Sequence, residues 1–348
     1  MTLVPLAAMN ADALNAVFRF TERHERLCVK LPETLLRSVK NAYAVVLEKS
    51  ASGSEAGGSC GLKTEVIRID GKSGFIYGVL NIRSTLLHCL PFAPKTSETQ
   101  LSIPERNTAH DESEVCADYT GRGAFETLAK DFICAFADFF AAHKTELRVS
   151  CVNGTEDGSK LLLAALKDTR INLTPAQVNE YGLFRLTAAE FLRLKEPELP
   201  NGERISRCGN DTDAALFDKL FDLQKRYEIE EVLPECDVFS EDICRLHLKA
   251  VLRTQYVAAV ALADGTLAAK AGTNALGFQT AQLGGVYVKP EFRRRGYAFC
   301  AVYRVLKNVF TIKNAAVLFV KKTNTPAIAL YKSLGFKKVN RYIIAYFR

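Results

Sequence analysis

Apolar residues recur along the chain at alternating spacing over short runs and at helical spacing over longer ones, and the switches between the two lay out its elements. Residues 2–6 predict a short strand, 10–28 a helix with Asn10 as its cap, and 32–42 a second helix. Strands follow over 43–49, 64–70, 74–81 and 84–92. A Ser/Gly-rich loop lies over 51–60, and Asp70-Gly71 turns the chain between the second and third of these strands. The stretch 91–120 is polar and aperiodic, with two prolines after Pro91, and reads as a long loop. A strongly amphipathic helix over 124–143, a strand over 146–152, a helix over 157–166 and a strand over 181–186 complete the first half.

A Pro/Gly/charge stretch at 195–202 has the character of a linker, which predicts two domains, 1–198 and 199–348. Beyond it the pattern predicts a strand over 204–208, a helix over 211–227 capped by Asn210, and a helix over 240–254 capped by Ser240. A hairpin pairs 256–263 with 266–273 around Asp264-Gly265. Then come a strand over 281–288, a helix over 296–310, a strand over 315–321, a helix over 326–334 and a last strand reaching residue 347. The halves share one order of elements: the strand-helix pair at 147–166 matches that at 317–334, and the two Asp-Gly hairpins correspond. This predicts an α/β chain of two related domains, each with a mixed sheet.

Length and charge sharpen the picture. At 348 residues the chain can build two cores. Its ten cysteines form no CxxC pair and mostly sit in apolar runs, so they read as reduced core residues, and a cytoplasmic protein is expected. The N-terminus has no basic segment followed by an apolar one, and no apolar run has the length to span a bilayer, so neither secretion nor membrane association is expected. The net charge of +7 is unevenly spread. Residues 199–264 carry eight Lys and Arg against thirteen Asp and Glu, whereas 265–348 carry fifteen against one, Glu291. Such a field suits a polyphosphate ligand. Nucleic acid is not expected, because the basic residues lack the aromatic interleaving of a stacking platform.

The densest basic segment is Val288-Lys-Pro-Glu-Phe-Arg293-Arg294-Arg295-Gly296-Tyr297-Ala298, between the strand 281–288 and the helix after it. A strand-turn-helix of this kind aims free backbone N–H groups and the positive end of a helix dipole at one point. Arg293-x-x-Gly296-x-Ala298 resembles the acyl-CoA-binding signature (Gln/Arg)-x-x-Gly-x-(Gly/Ala) of the GNAT superfamily of N-acyltransferases. Further on, Asn324-Thr-Pro-Ala-Ile-Ala-Leu-Tyr331-Lys-Ser-Leu-Gly335-Phe336 resembles the later GNAT motif Asn-x-x-Ala-x-x-Leu-Tyr-x-x-x-Gly-Phe. There Thr325 can cap a helix with Pro326 at its first position, and Gly335 can end it. The resemblance implies the GNAT fold for 199–348 and a degenerate second copy in 1–198. The first copy lacks both motifs, with only Gly121-Arg122-Gly123-Ala124 as a faint echo of a phosphate turn.

The resemblance further implies transfer of an acetyl group from acetyl-CoA to an amine of a small molecule or a protein, with no metal. It assigns backbone groups of Val286, Tyr287 and Val288 and of Arg293, Arg294, Arg295, Gly296, Tyr297 and Ala298 to the cofactor. Asn324 goes to the cofactor arm and Tyr331 to the general acid. Bland readings stand beside these: Tyr331 as a packing tyrosine, and the three arginines and Glu291 as solvated charges. The acids Glu228, Glu230, Glu231, Glu235, Asp237, Glu241 and Asp242 either attract a cationic acceptor or form a solvated run. His247 reads as a helix-surface or core residue, and no side chain stands out as general base. A non-catalytic acyl-CoA-binding or regulatory protein is the competing function. Acceptor, acyl chain length and oligomeric state are not legible.

Overall fold

Asn10 opens the first helix as its spacing predicts, its Oδ1 accepting the Ala13 N–H at 2.9 Å. That helix, α1 (Ala11–His24), lies in a computed structural model that describes residues 1–39, 42–48, 66–69, 72–82, 85–90, 122–143, 149–199, 202–233 and 238–348. The Ser/Gly-rich loop 51–60, the Asp70-Gly71 turn, the loop 91–120 and Gly121 lie outside the described residues. Cα packing divides the chain into two compact units, Met1–Tyr181 with Asn340–Arg348, and Gly182–Val339. The stretch 195–202 does not separate them, since Leu194 and Leu199 pack on the core of the second unit. Prolines and charges mark an exposed loop, and an exposed loop can run over the surface of one unit.

In the first unit β1 (Thr2–Pro5) pairs antiparallel with β2 (Ala42–Glu48), and β2 in turn with β4 (Lys72–Ile82), which also carries β3 (Val66–Ile69). The sheet continues through β5 (Thr85–Cys89) to β6 (Cys151–Thr155), a parallel pair. Residues 342–346 of β13 (Lys337–Tyr346) close it antiparallel to β6. α1 ends at His24, earlier than the apolar spacing predicts, because Glu25–Leu27 tightens into a 3-10 turn. It is followed by α2 (Lys30–Arg37). In α3 (Arg122–Ala142), Phe132, Phe136 and Phe140 recur every fourth residue and so share a face, and their rings stack at 5.9 Å in a core with Phe20, Leu31, Ile76 and Leu86. α4 (Glu156–Leu166) follows β6 directly.

Just past the last β5–β6 pair, Leu87 with Asn153, the fully buried His88 fills the space between the parting strands. Its ring lies where side chains at Gly154 and Gly158 would be: a Cβ there would fall 2.1 and 2.5 Å from it. Nε2 meets Ser159 Oγ at 2.9 Å, and Nδ1 has no partner among the described residues. Burial brings its pKa down from 6.5 to about 3, and burial with Arg26 and Arg23 nearby brings that of His24 down to about 4. Above pH 6.5 folded and unfolded chains are both neutral here. Below it only the unfolded chain takes the protons, so stability is lost as pH falls from about 6.5 toward 3, at about 1.4 kcal/mol per pH unit for each residue. Denaturant titrations of the whole chain at pH 7, 6 and 5 are expected to show this slope, and His88→Gln is expected to reduce it by about half.

The second unit is ordered β7-β12-β11-β10-β9-β8, from residue 182 on in β7 (Gln177–Thr187). The other strands are β8 (Arg204–Cys208), β9 (Val257–Ala261), β10 (Leu267–Leu276), β11 (Thr280–Val288) and β12 (Ala315–Lys321). After β7 comes the short α5 (Ala188–Phe191), closed by a capping box between Thr187 and Glu190. α6 (Ala214–Tyr227) is capped by Asp213, not Asn210, and runs on into a π-helical turn, Glu228–Val232. Ser240 caps α7 (Glu241–Thr254) as its position predicts. Val257 and Ala259 of β9 join the core under α6 and α7, whereas Ala258 and Val260 join the one under α8 (Tyr297–Val309). Burial on both faces explains why this strand reads as an unbroken apolar run.

Candidate functional site

β11 and β12 run parallel and pair only over Thr280–Gln282 with Ala315–Val317, although β11 continues to Val288 and β12 to Lys321. Beyond Gln282 the strands part, and backbone groups of residues 283–288 on that side have no partner on β12. Two irregularities bend the β10–β11 pair at the same level. Gly285 and Val286 stand opposite Ala271 alone, and Asn274 is an extra residue between Thr273 and Ala275. Gly285 has φ +61, the left-handed conformation such a bulge needs. The result is a wedge, lined on one edge by Val286, Tyr287 and Val288.

The wedge leads to the basic turn. Arg294 at φ +67 and Gly296 at φ +82 reverse the chain in three residues, and Gly296 is the N-cap of α8 with no side chain capping it. The first helical bond there runs from Cys300 N–H to Gly296 O, so the N–H groups of Tyr297, Ala298 and Phe299 have no partner within the helix. A Cβ on Gly296 would meet nothing within 4 Å. The three arginines, all exposed, differ in their ties. Arg293 donates to Val288 O at 3.1 Å and pairs with Glu230 at 2.8 Å. Arg295 lies over the Phe292 ring at 5.7 Å. Arg294 makes no ion pair among the described residues. Tyr297 is buried and donates to Glu203 Oε1 at 2.5 Å, so its side chain belongs to the packing and only its backbone faces the turn.

α9 (Thr325–Ser333) owes both ends to the second motif. Asn324, not Thr325, is its N-cap, with Oδ1 accepting the Ala327 N–H at 3.1 Å; Thr325 is already helical. That bond takes one of the two lone pairs of the Oδ1 of Asn324, the side chain that the resemblance assigns to the cofactor arm. At the other end Phe336 N–H bonds Tyr331 O and Gly335 N–H bonds Lys332 O, with Gly335 at φ +82. This is a Schellman motif, and the rings of Tyr331 and Phe336 meet edge-on at 6.0 Å across it. The spacing Tyr-x-x-x-Gly-Phe is thus a helix stop that fixes a tyrosine. Tyr331 is buried, its hydroxyl has no hydrogen-bond partner among the described residues, and burial with Tyr227 and Glu231 nearby raises its pKa above 10.

The π-helical turn carries the acids to this place. Glu230 accepts from Tyr287 Oη at 2.5 Å, and burial, with this bond to Glu230, pushes the Tyr287 phenol up to about 12. Glu231 is exposed, its carboxylate has no ion-pair partner among the described residues, and Lys321 Nζ donates to its carbonyl at 3.3 Å. Glu228 is held by Gln224 at 2.7 Å and by His247 at 3.0 Å. Glu241 pairs with Lys225, and Glu235 and Asp237 lie outside the described residues. Glu291 is exposed in the turn.

One charged group on this face escaped sequence reasoning. Lys270 of β10 is buried; its Nζ donates to Gly285 O at 2.8 Å and sits 4.6 Å from the Tyr227 ring centre. Burial brings its pKa down to about 7 against the favourable charge of Glu228. A lone lysine in the apolar run 267–271 was the available signal. Among the described residues no group of three or more His, Cys, Asp or Glu is placed to hold a metal ion, and no helix is long and apolar enough to cross a membrane.

The chain as a whole has the mixed α/β fold of a tandem GNAT protein. Residues 262–344 match the family model of the FR47-like protein family. Two solved structures are similar over nearly the whole chain. A tandem GNAT protein from the clavulanic acid biosynthesis pathway, determined without AcCoA, is 15% identical, with 99% of this chain and 97% of the other covered and a TM-score of 0.51. A protein of Drosophila malonogaster is 13% identical, with 99% and 98% covered and a TM-score of 0.54. At such identities the likeness is one of fold. No curated protein sequence matches the chain.

Proposed function

We propose that the chain is an acyl-CoA-dependent N-acetyltransferase whose second unit holds acetyl-CoA and passes its acetyl group to an amine of a small molecule or a protein. The observation that carries this reading is the β11–β12 wedge opening onto the uncapped start of α8. An extended pantetheine arm needs unpaired strand edges, and a pyrophosphate needs convergent N–H groups with no side chain in the way; both are present. Backbone N–H groups of residues 286–288 polarise the thioester carbonyl, and Tyr331 gives its proton to the departing thiolate. Glu231, close enough to Tyr331 to affect its titration, attracts the protonated acceptor.

The first unit takes no part in this chemistry, because His88 fills the corresponding gap between its parallel strands. The free thiols Cys28, Cys134, Cys151, Cys208, Cys244 and Cys300 fit a cytoplasmic enzyme. The reading includes no metal, nucleic-acid or membrane partner. Acetyl-CoA at a hundred times its dissociation constant is expected to stabilise the whole chain by about 2.7 kcal/mol, read as a rise in Tm. No rise at millimolar acetyl-CoA overturns the proposal.

A further inference from the structure

The β11 bulge has a brace that none of the motif residues supplies. In an antiparallel pair each carbonyl on the inner edge has a ladder partner, but a bulge removes one. Gly285 is the bulged residue, and its carbonyl receives the Lys270 ammonium at 2.8 Å instead. Lys270 stands directly opposite Tyr287, so one side chain spans from its own cross-strand pair back to the bulge. The space is tight: a Cβ on Gly285 would fall 3.2 Å from Nζ. A buried amine is costly unless its donors are used, and here four of the elements packed around it offer a partner or a favourable charge, while β9 offers only Ala259. α6 contributes the Tyr227 ring, the π-helical turn the Glu228 carboxylate, α7 the thiol of Cys244, and β11 the Gly285 carbonyl. Glu228 is itself fixed by Gln224 and His247.

We infer that Lys270 is a positioning residue: by holding the Gly285 carbonyl it sets the bulge that presents the N–H groups of residues 286–288 to the thioester end of acetyl-CoA in the wedge. The inference rests on the acetyl-CoA reading and deepens it. Lys270 touches neither the phosphate turn nor the reacting atoms, so its loss acts on one part of the ligand only. Lys270→Met keeps the length of the side chain and removes the donor together with the buried charge, and is expected to fold.

Two measurements on the whole chain test it. Isothermal titration of Lys270→Met is expected to give about tenfold weaker binding of acetyl-CoA, the effect of one lost anchoring hydrogen bond. Binding of adenosine 3′,5′-bisphosphate, which reaches only the basic turn, is expected to change less than about twofold. Amide hydrogen exchange is expected to speed up at residues 284–288 and not across α6, α7 and β9, which a general loss of packing would loosen as well. Lys270→Gln, which trades the ammonium for a neutral donor of shorter reach, is expected to show a smaller loss with the same selectivity, which keeps the test open should the methionine variant fail to fold. Unchanged acetyl-CoA binding, or an equal loss for both ligands, overturns the assignment of Lys270 while leaving the acetyl-CoA reading intact. If the unaltered chain binds neither ligand, both fall.

Discussion

Gly296→Glu is expected to abolish acetyl-CoA binding, with a loss of at least about a hundredfold in affinity and no Tm rise at millimolar ligand, while the variant still folds. Two features set this size. Gly296 has φ +82, which an ordinary side chain adopts at a cost of about 1 kcal/mol, small against the stability of a domain. Its missing Cβ faces open space, so no protein atom is displaced and the whole effect falls on the ligand. A carboxylate at this point would stand among the N–H groups of Tyr297, Ala298 and Phe299, where it competes for the helix terminus and repels a pyrophosphate. Gly296→Asn separates backbone from charge, since asparagine tolerates the left-handed region, and is expected to lose far less. Equal affinities for glycine and glutamate at this position would remove the phosphate role of the turn.

Local features of this kind were legible in the sequence because they are set by neighbours a few residues apart. The caps at Asn10 and Ser240, the β12 strand over 315–321 and the helix stop at Gly335 all follow from short-range patterns. Two caps fall elsewhere than the sequence reading put them: Asp213 caps α6 where Asn210 was expected, and Asn324 caps α9 where Thr325 was expected. Long-range features were not legible. Residues 342–346 look like part of the last strand of the second half, yet they pair with β6 of the first unit, and nothing in an alternating run says which strand it will join. Lys270 is similar, since its meaning lies in a bulge on another strand and in Glu228 of the π-helical turn. His88 makes sense only with Gly154 and Gly158, whose lack of side chains gives the ring its space.

Tyr331→Phe is expected to lower kcat for acetyl transfer by about a hundredfold, with the dissociation constant of acetyl-CoA nearly unchanged. The ring is held by the Schellman turn and by Phe336, and phenylalanine keeps those contacts, so the loss isolates the hydroxyl. The residue is buried, and its hydroxyl has no hydrogen-bond partner among the described residues, so its proton remains available to a ligand atom. Burial and the nearby Glu231 raise its pKa, so it carries its proton throughout the neutral range and can give it to a thiolate as the carbon–sulfur bond breaks. A packing tyrosine behaves in the opposite way. Removing its hydroxyl then leaves kcat within a few-fold. Measuring kcat and the acetyl-CoA dissociation constant on the same variant separates the two, and an unchanged kcat would assign Tyr331 to the core.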